Sequence, residues 1–328
     1  GCLRYTLVKL KIIIFVILLV NIPGCTIFQE IAGNGPSSFK PPREVKNKIT
    51  NPVLPDARLA VLWIGHSTCL IQMDDKQILT DPVLTTSIGI FSKRLVEPGI
   101  KTSNIPKLDL IAVTHPHIDH LSLGTIEHLQ KKNKNVPFVF PEGVESYLPG
   151  YDYNYIRMDN NNGYADDNPI GDSVTINGIT VYTVFARHWG GRYGLDGFLW
   201  GEHSYTGFIF SYKGMNVYFG GDTGYDPLSF KKLNERFEID LALIPIGPCE
   251  ECEGCGNKRH VYPEGAIKIF LDLKAKVLMP IHYGVFQFRL ADANEPLFKF
   301  KKLLKEYNIE DKASIFNIGE QKTIIHKR

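Results

Sequence analysis

The chain has 328 residues, with 37 Lys and Arg against 35 Asp and Glu, so its formal net charge is +2. With 44% hydrophobic and 22% charged residues, the composition excludes a mainly disordered chain, a coiled coil and a polytopic membrane protein. A charge this close to neutral gives no electrostatic argument for nucleic acid as a partner. The 6 Cys residues are too few in a chain of this length to form a disulfide scaffold.

The amino-terminal segment has the features of an export signal. Basic residues flank a short apolar run at 12–20, and small residues then lead to Cys25. The tract IPGC at 22–25 resembles a bacterial lipoprotein box, in which the Cys is lipidated and becomes the new first residue. An uncleaved membrane anchor and a signal cleaved elsewhere are the alternatives. Residues 1–25 are therefore predicted to export the rest of the chain and to tether it to a membrane of the bacterial cell envelope.

Residues 26–57 are predicted to be a tether between this signal and a domain at 58–328. They are rich in Gly, Pro, Asn and Lys and show no hydrophobic periodicity. The basic residues of the tether would face an acidic lipid surface, and they are Lys40, Arg43, Lys46 and Lys48. An irregular lead-in strapped over the domain is the alternative interpretation.

From residue 59 onward, apolar runs and alternation predict strands separated by turns. In chain order the predicted strands are 59–64, 69–72, 77–80, 108–113, 137–140, 173–176, 180–185, 207–211, 215–219, 241–246, 276–281 and 314–318. Predicted helices are 123–131, 142–148, 263–273 and 296–307, and a polar surface loop is predicted at 159–168. Two series of strands, each followed by helices, indicate two mixed sheets packed face to face with helices outside.

A cluster of metal-binding residue types follows the predicted strand at 108–113. The motif HPHIDH at 115–120 contains three imidazoles and one carboxylate, which are ligands of Zn, Fe or Mn sites. Three other predicted strands are followed by His188, Asp222 and His282. Because ligand sites in α/β folds gather at the carboxyl ends of strands, the four segments are predicted to converge on one metal site.

Further motifs occur in a recognisable order between about residues 59 and 318. They are WIGHST at 63–68, RLVEPGI at 94–100, THPHIDHLS at 114–122, HWGGR at 188–192, LWG at 199–201, GGDTGYD at 220–226, IPIG at 244–247, HVYPEGA at 260–266 and PIHYG at 280–284. With them the chain resembles a metallo-β-lactamase-fold hydrolase, above all the branch of N-acylphosphatidylethanolamine-hydrolysing phospholipase D. It departs from that branch at Pro116, where Asn is usual, and in a Cys-rich insert at 249–259.

The resemblance implies an α+β fold, a four-layered αββα sandwich with a binuclear metal site at one edge. It assigns His115, His117 and His188 to one metal, Asp119, His120 and His282 to the second, and Asp222 to a bridge between them. The implied cofactors are two divalent ions, zinc first, with manganese and iron as alternatives. Such a pair can lower the pKa of a shared water and clamp the oxygens of an in-line displacement at phosphorus.

The resemblance also implies roles around the metals. Asp119 and Asp222 are the catalytic residues, because Asp119 can orient or deprotonate the water while Asp222 holds both ions. His260 and Arg192 are the candidate substrate contacts, with a helix-capping His and a surface salt bridge as alternatives. His66 also follows a strand, but the branch uses its segment structurally, so it is left out of the ligand set.

The implied activity is that of a membrane-tethered phosphodiesterase, in which a metal-bound hydroxide cleaves N-acylphosphatidylethanolamine-type phospholipids. Its partners would be a phospholipid or other phosphodiester and a membrane surface, with no nucleic acid, and the oligomeric state is left open. A lactonase is the alternative, favoured if the long apolar residues Ile88, Ile90 and Phe91 surround the site. A non-catalytic envelope lipoprotein is the other alternative.

The Cys-rich insert has the spacing C-x2-C-x2-C, formed by Cys249, Cys252 and Cys255. In an exported protein we expect a disulfide between two of these residues. A structural zinc with His260 as the fourth ligand is the alternative.

Overall fold

A computed structural model of the chain describes residues 41–88, 92–160, 168–193, 196, 203–249, 252–287 and 292–327. Its strands are β1 Ala57–Gly65, β2 Thr68–Met73, β3 Lys76–Thr80, β4 Ser87–Ile88, β5 Ser92–Lys93, β6 Leu110–Ala112, β7 Pro137–Pro141, β8 Asn154–Met158, β9 Ile170–Ile176, β10 Ile179–Val184, β11 Gly207–Tyr212, β12 Met215–Phe219, β13 Leu241–Pro245, β14 Val277–Ile281 and β15 Gln321–His326. Its helices are α1 Leu123–Gln130, α2 Pro227–Arg236, α3 Pro263–Leu273 and α4 Glu295–Glu306.

Most of the strands form two mixed sheets, and β4 and β5 form a separate antiparallel pair. Within the described ranges, the first sheet has the order β15-β1-β2-β3-β6-β7-β8 and the second the order β14-β13-β12-β11-β10-β9. Neighbours joined by tight turns are antiparallel, as in the hairpin of β9 and β10 around Asn177-Gly178. The runs β3-β6-β7-β8 and β12-β13-β14 are parallel, and the strands β6 and β13 are buried throughout, as parallel strands covered on both faces require.

Alternation along β1 separates the layers of the fold. Leu59, Val61 and Trp63 belong to the core that both sheets share, whereas Leu62 and Ile64 pack in the outer core under α1. On the other side, the apolar faces of α2, α3 and α4 cover the second sheet. The four-layered αββα sandwich predicted from the sequence is therefore confirmed.

Local sequence explains where the helices begin. Ser122 accepts a hydrogen bond from the backbone of Thr125 and caps α1, and Asp226 does the same for α2 through Ser229. Pro at the first turn also favours the starts of α2 and α3, because its missing N–H has no helical partner there.

Some sequence predictions of secondary structure were wrong. The last strand is Gln321–His326, which pairs antiparallel with β1, and residues 314–318 have no strand structure. That apolar stretch meets β14 through a single backbone hydrogen bond, from Ser314 to Leu278, after an isolated bridge at Ala313. The helix predicted at 142–148 is only a 3₁₀ turn at Val144–Tyr147. The strand β8 and the helix α2 were not predicted, and most of the loop predicted at 159–168 lies outside the described residues.

The amino-terminal predictions fall largely outside the described residues, because these begin at residue 41. The described part of the predicted tether packs on the domain. The backbone of Arg43 exchanges hydrogen bonds with Leu95 and Glu97, and the Lys48 ammonium lies 2.7 Å from the Glu97 carboxylate. Among the helices of the described ranges, none has the length and apolarity needed to cross a bilayer.

Candidate metal centre

The loop after β6 carries the His-rich motif, and a buried carboxylate that directly follows β3 fixes its shape. Asp81 is fully buried and accepts hydrogen bonds from the backbone N–H of Thr114 at 2.7 Å and from the Thr114 hydroxyl at 2.8 Å. It also accepts from His120 Nδ1 at 2.7 Å. Sequence reasoning missed Asp81, although the end of β3 lies beside the end of β6 in the parallel pair. Asp81 therefore sets both the start and the end of the motif.

The first group of donors consists of three imidazoles around one point. His117 Nδ1 lies 2.8 Å from His115 Nε2 and 3.2 Å from His188 Nε2. Asp222 Oδ2 lies 4.0 Å from His115 Nε2 and 3.8 Å from His188 Nε2. The four donor atoms all lie within 4.8 Å of one another, as one metal ion requires.

Hydrogen bonds behind the first group orient its rings. His188 Nδ1 must donate to the carbonyl oxygen of Arg259, which lies 2.9 Å away and can only accept. His115 Nδ1 lies 2.9 Å from the Thr114 hydroxyl. In the neutral ring with its proton on Nδ1, the lone pair of Nε2 points into the site, and such outer partners are typical of metal-binding His.

The second group comprises Asp119, His120 and His282, together with His66, and its donor atoms also lie within 4.8 Å of one another. Asp119 Oδ2 lies 3.7 Å from His282 Nε2 and 3.8 Å from His120 Nε2. Asp222 faces this group as well, with Oδ1 3.1 Å from His282 Nε2 and Oδ2 3.4 Å from His120 Nε2. The two groups therefore share the carboxylate of Asp222, the residue predicted to bridge them.

A glycine turn makes this position of Asp222 possible. Gly221 has φ +54°, and a Cβ there would lie 2.6 Å from the Thr114 side chain, so a larger residue would separate the two loops. The turn thereby brings the end of β12 against the end of β6.

Burial and charge give the imidazoles of the first group and the two carboxylates the protonation states that a cation needs, whereas the carboxylates raise the pKa values of His120 and His282 in the second group. Burial lowers the pKa of His117 to about 4 and holds the pKa values of His115 and His188 well below the ordinary range, so these rings are neutral at pH 7. Burial alone would raise the pKa values of Asp119 and Asp222, but the surrounding imidazoles outweigh it and lower them. Neutral imidazoles and ionised carboxylates are the forms that bind metals.

The predicted substrate contacts differ in where they point. His260 Nδ1 lies 3.6 Å from Asp222 Oδ2, and its side chain is 22% exposed at the mouth of the site. The Arg192 guanidinium donates from Nη1 to the carbonyl oxygens of Pro116 and Leu121, at 2.8 and 2.9 Å. Arg192 therefore braces the motif loop from behind, and its predicted phosphate contact stays a prediction.

The Cys-rich insert brings a different cation to the site. The Arg259 guanidinium lies 5.7 Å from the centre of the Trp189 ring, which in turn lies 4.2 Å from the ring of His117. Arg259 is exposed, and no carboxylate of the described residues forms an ion pair with it. Sequence reasoning missed Arg259, because nothing in its local pattern places it beside the first group.

The Cys residues of the insert form a disulfide between Cys249 and Cys252, as expected. Cys255 is a free thiol whose Sγ accepts a hydrogen bond from Lys268 Nζ at 3.0 Å. The alternative of a structural zinc with His260 is wrong, because Cys249 and Cys252 are paired with each other and His260 faces Asp222.

One small cavity lies beside the second group of donors. It is lined mainly by residues that follow β13 and β14, namely His282, Tyr283, Phe286, Pro248, Cys249 and Pro296. Ile88, a candidate for an apolar wall, is 4% exposed and packs with Val83, Val285 and Phe286. The other two candidates, Ile90 and Phe91, and the LWG motif at 199–201 lie outside the described residues.

Comparison with known proteins places this arrangement in a family. Residues 76–283 match the family described as "Beta-lactamase superfamily domain". The chain belongs to this family. A possible metal-dependent hydrolase from Veillonella parvula has a similar solved structure, with a TM-score of 0.60 at 18% identity over 81% of this chain and 99% of that one. The metallo-β-lactamase fold implied by the sequence motifs is thus confirmed.

Two relatives illustrate the range of similar sequences. An uncharacterized protein of Mycobacterium tuberculosis is 31% identical over 254 residues, which are 74% of this chain, and the chain spans 63% of that relative's length. An N-acyl-phosphatidylethanolamine-hydrolyzing phospholipase D of Caenorhabditis elegans is 28% identical over 261 residues, 76% of this chain and 70% of that protein. The resemblance to the phospholipase D branch is therefore confirmed at the level of sequence similarity.

Proposed function

We propose that the protein is a metal-dependent hydrolase with a binuclear centre, and within that class a phosphodiesterase that cleaves N-acylphosphatidylethanolamine-type phospholipids. The observation that carries the proposal is the Asp222 carboxylate, which faces two separate groups of donor atoms. The imidazole nitrogens of the first group also converge on one another, as ligands of a shared cation would.

The residues present fit two divalent cations. His117 Nδ1 meets the Nε2 atoms of both His115 and His188, and neutral imidazoles this close together are stabilised by a shared cation. The buried His120 Nε2 has no hydrogen-bond partner among the described residues, yet it points at Asp222. Two ions held here would supply Lewis-acid charge that lowers the pKa of a shared water and neutralises oxygens on phosphorus. Zinc is the metal we propose, because imidazole and carboxylate donors suit it.

Residues of the chain would supply orientation and recognition. Asp119 lies on the second side of the site, where its carboxylate can accept a proton from the attacking water and fix its direction. Arg259 and His260 stand together at the mouth, and a guanidinium can pair bidentately with the phosphodiester anion. The proposed substrate therefore carries an anionic group at the mouth of the site.

The substrate class is tested by a side-by-side assay of the zinc-loaded protein. We expect hydrolysis of an N-acylphosphatidylethanolamine to exceed hydrolysis of a lactone and of a β-lactam. Bound metal per chain is measured in parallel, because a chain that binds no metal would contradict the whole proposal. A dominant rate on the lactone would favour the lactonase alternative, since a carbonyl can use the same two ions.

The role of Arg259 is tested by Arg259→Gln. We expect kcat/KM for the phosphodiester to fall by about 10- to 100-fold, which corresponds to about 1.4–2.7 kcal/mol for a lost charge-assisted hydrogen bond. The rate on an uncharged ester should change little. Lys258→Gln is the matched control, because Lys258 is the neighbouring exposed cation. An equal loss on both substrates would show that Arg259 acts only through the carbonyl that orients His188.

We further propose that the protein works at a membrane surface of the bacterial envelope, tethered through Cys25 or the apolar run at 12–20. The basic flank, the short apolar run and the small residues before Cys25 support this proposal. Such a tether would suit a lipid substrate, because the tether keeps the site close to the bilayer.

A further inference from the structure

His66 belongs to the second donor group, although the motif WIGHST at 63–68 that contains it was predicted to be structural. It lies in the turn between β1 and β2, and its side chain is 1% exposed. His66 Nε2 lies 3.0 Å from Asp119 Oδ2, a shorter contact than either His120 or His282 makes with that oxygen. The His66 ring therefore contacts Asp119, the residue that orients the attacking water in the proposed mechanism.

The backbone of His66 reaches another member of the same group. Its carbonyl oxygen accepts a hydrogen bond from the backbone N–H of His282 at 3.2 Å and from the Trp63 indole at 2.9 Å. The centres of the His66 and His282 rings are 3.9 Å apart. One residue thus holds the side chain of Asp119 and the backbone of His282, which come from different sheets.

Two residues of the second group have a left-handed backbone conformation. His66 has φ +58° and His282 has φ +64°, both in the left-handed region that non-glycine residues seldom adopt. Strained residues of this kind persist where the surroundings hold them, and they cluster at functional sites. Here the two left-handed residues are joined directly by a backbone hydrogen bond, so each supports the other.

We propose that His66 is a positioning residue of the second metal group, which donates a hydrogen bond from Nε2 to Asp119 and aligns Asp119 and His282 for a second divalent ion. A carboxylate can only accept, so the 3.0 Å contact calls for the proton on Nε2. This inference rests on the binuclear centre of the proposed function. It adds the hydrogen bond from His66 to Asp119, which the set of metal ligands alone does not contain.

Two substitutions separate the hydrogen bond from the turn. Asn tolerates the left-handed conformation well, but its side chain is too short to bring an N–H to the position of Nε2. Gln reaches that position and can donate, but its amide nitrogen does not bind a metal. His66→Asn therefore keeps the turn and loses the contact, whereas His66→Gln keeps the contact. His128→Gln is the control, because His128 is exposed on α1 and donates only to the carbonyl of Gly124.

The measurement is a titration of metal-free protein with Co²⁺, followed by visible absorption and by bound metal per chain. We expect His66→Asn to weaken the second ion by about 10- to 100-fold while the first binds normally, as for other residues behind metal ligands. His66→Gln should retain most of the affinity. In the substrate assay, His66→Asn should lower kcat with little change in KM, because Asp119 acts on the water and not on substrate binding.

Each outcome of these measurements either supports or overturns the positioning role of His66. Normal uptake of the second ion by His66→Asn would overturn it and leave the binuclear centre intact. Equal weakening by His66→Asn and His66→Gln would also overturn it, because the ring nitrogen would then be a metal ligand. Wild-type protein that binds a single ion would refute the proposed centre itself. If the variants do not fold, ¹⁵N spectra of the wild-type zinc form still test the inference. The inference requires the ring proton of His66 to reside on Nε2, and a proton on Nδ1 alone would overturn it.

Discussion

Asp81 is the residue whose replacement tests the geometry of the site most directly. Its Oδ1 accepts from the Thr114 backbone N–H, and its Oδ2 accepts from the Thr114 hydroxyl and from His120 Nδ1. In Asp81→Asn, the backbone N–H still requires an oxygen opposite it, so the new NH₂ group must occupy the position of Oδ2. In the neutral form of His120 that a metal requires, this NH₂ group would donate to Nδ1 and force the ring proton onto Nε2. A protonated Nε2 cannot bind a metal.

The size of the effect follows from the contacts that change. Hydrogen bonds to a charged group contribute about 1.5–3 kcal/mol each, against about 0.5–1.5 kcal/mol for neutral pairs, so the three weakened bonds of Asp81 sum to about 3 kcal/mol of lost stability. Restoring the metal-binding tautomer of His120 then breaks the new hydrogen bond, and we expect the second ion to bind about 10- to 100-fold more weakly. The first group does not contain His120 and should retain its ion.

The assay combines urea denaturation with a Co²⁺ titration of Asp81→Asn. Asp240→Asn is the matched control, because Asp240 is 7% exposed and accepts from the Asn216 backbone and from Lys276 at the start of β13, away from the site. The control should lose stability and keep both ions. An Asp81→Asn protein that folds and binds the second ion like the wild type would refute the reasoning that Asp81 sets the tautomer of His120.

Three further predictions concern charge and location. Asp222→Asn should weaken metal binding more than about 100-fold and abolish turnover with a smaller effect on the melting temperature, since an amide cannot neutralise two ions; full activity with one metal lost would reject the bridging role. Burial lowers the pKa of His282, but Asp222 and Asp119 outweigh burial and raise this pKa from its ordinary 6.5 to about 9. The proton of His282 therefore stabilises the metal-free fold fully below pH 6.5, and this contribution is lost above pH 9. Urea denaturation after chelation should therefore show the free energy of unfolding falling by up to about 3 kcal/mol between these pH values, and a constant value would contradict this. Cys25→Ala should release the protein from the membrane fraction that retains the wild type; if both sediment, the apolar run is an uncleaved anchor, and a wild type that is itself soluble would refute the tether.

Much of the fold could be predicted because its signals are local. The Asn177-Gly178 turn determines the hairpin of β9 and β10, since both residues adopt positive φ there without penalty. Pro263 marks the start of α3 because its position needs no N–H donor. The last strand was misplaced because residues 314–318 and 321–326 both carry apolar β-forming side chains. Only the partner strand β1 decides which of them is hydrogen-bonded.

The candidate site was likewise predictable only where its sequence signals are local. HPHIDH at 115–120 is visible in the sequence because its donors are neighbours in the chain, and the ends of other strands supplied the remaining predicted ligands. Asp81 and Arg259 were not predicted, and His66 was left out of the ligand set although it follows a strand, because the sequence does not show which side chain each of them contacts. Their roles depend on contacts between segments far apart in the chain, such as the 3.0 Å approach of His66 to Asp119. The sequence by itself determined which residue types could bind a metal, whereas only the packing of the two sheets decided which side chains orient them, because a hydrogen bond exists only once both partners are brought within about 3 Å.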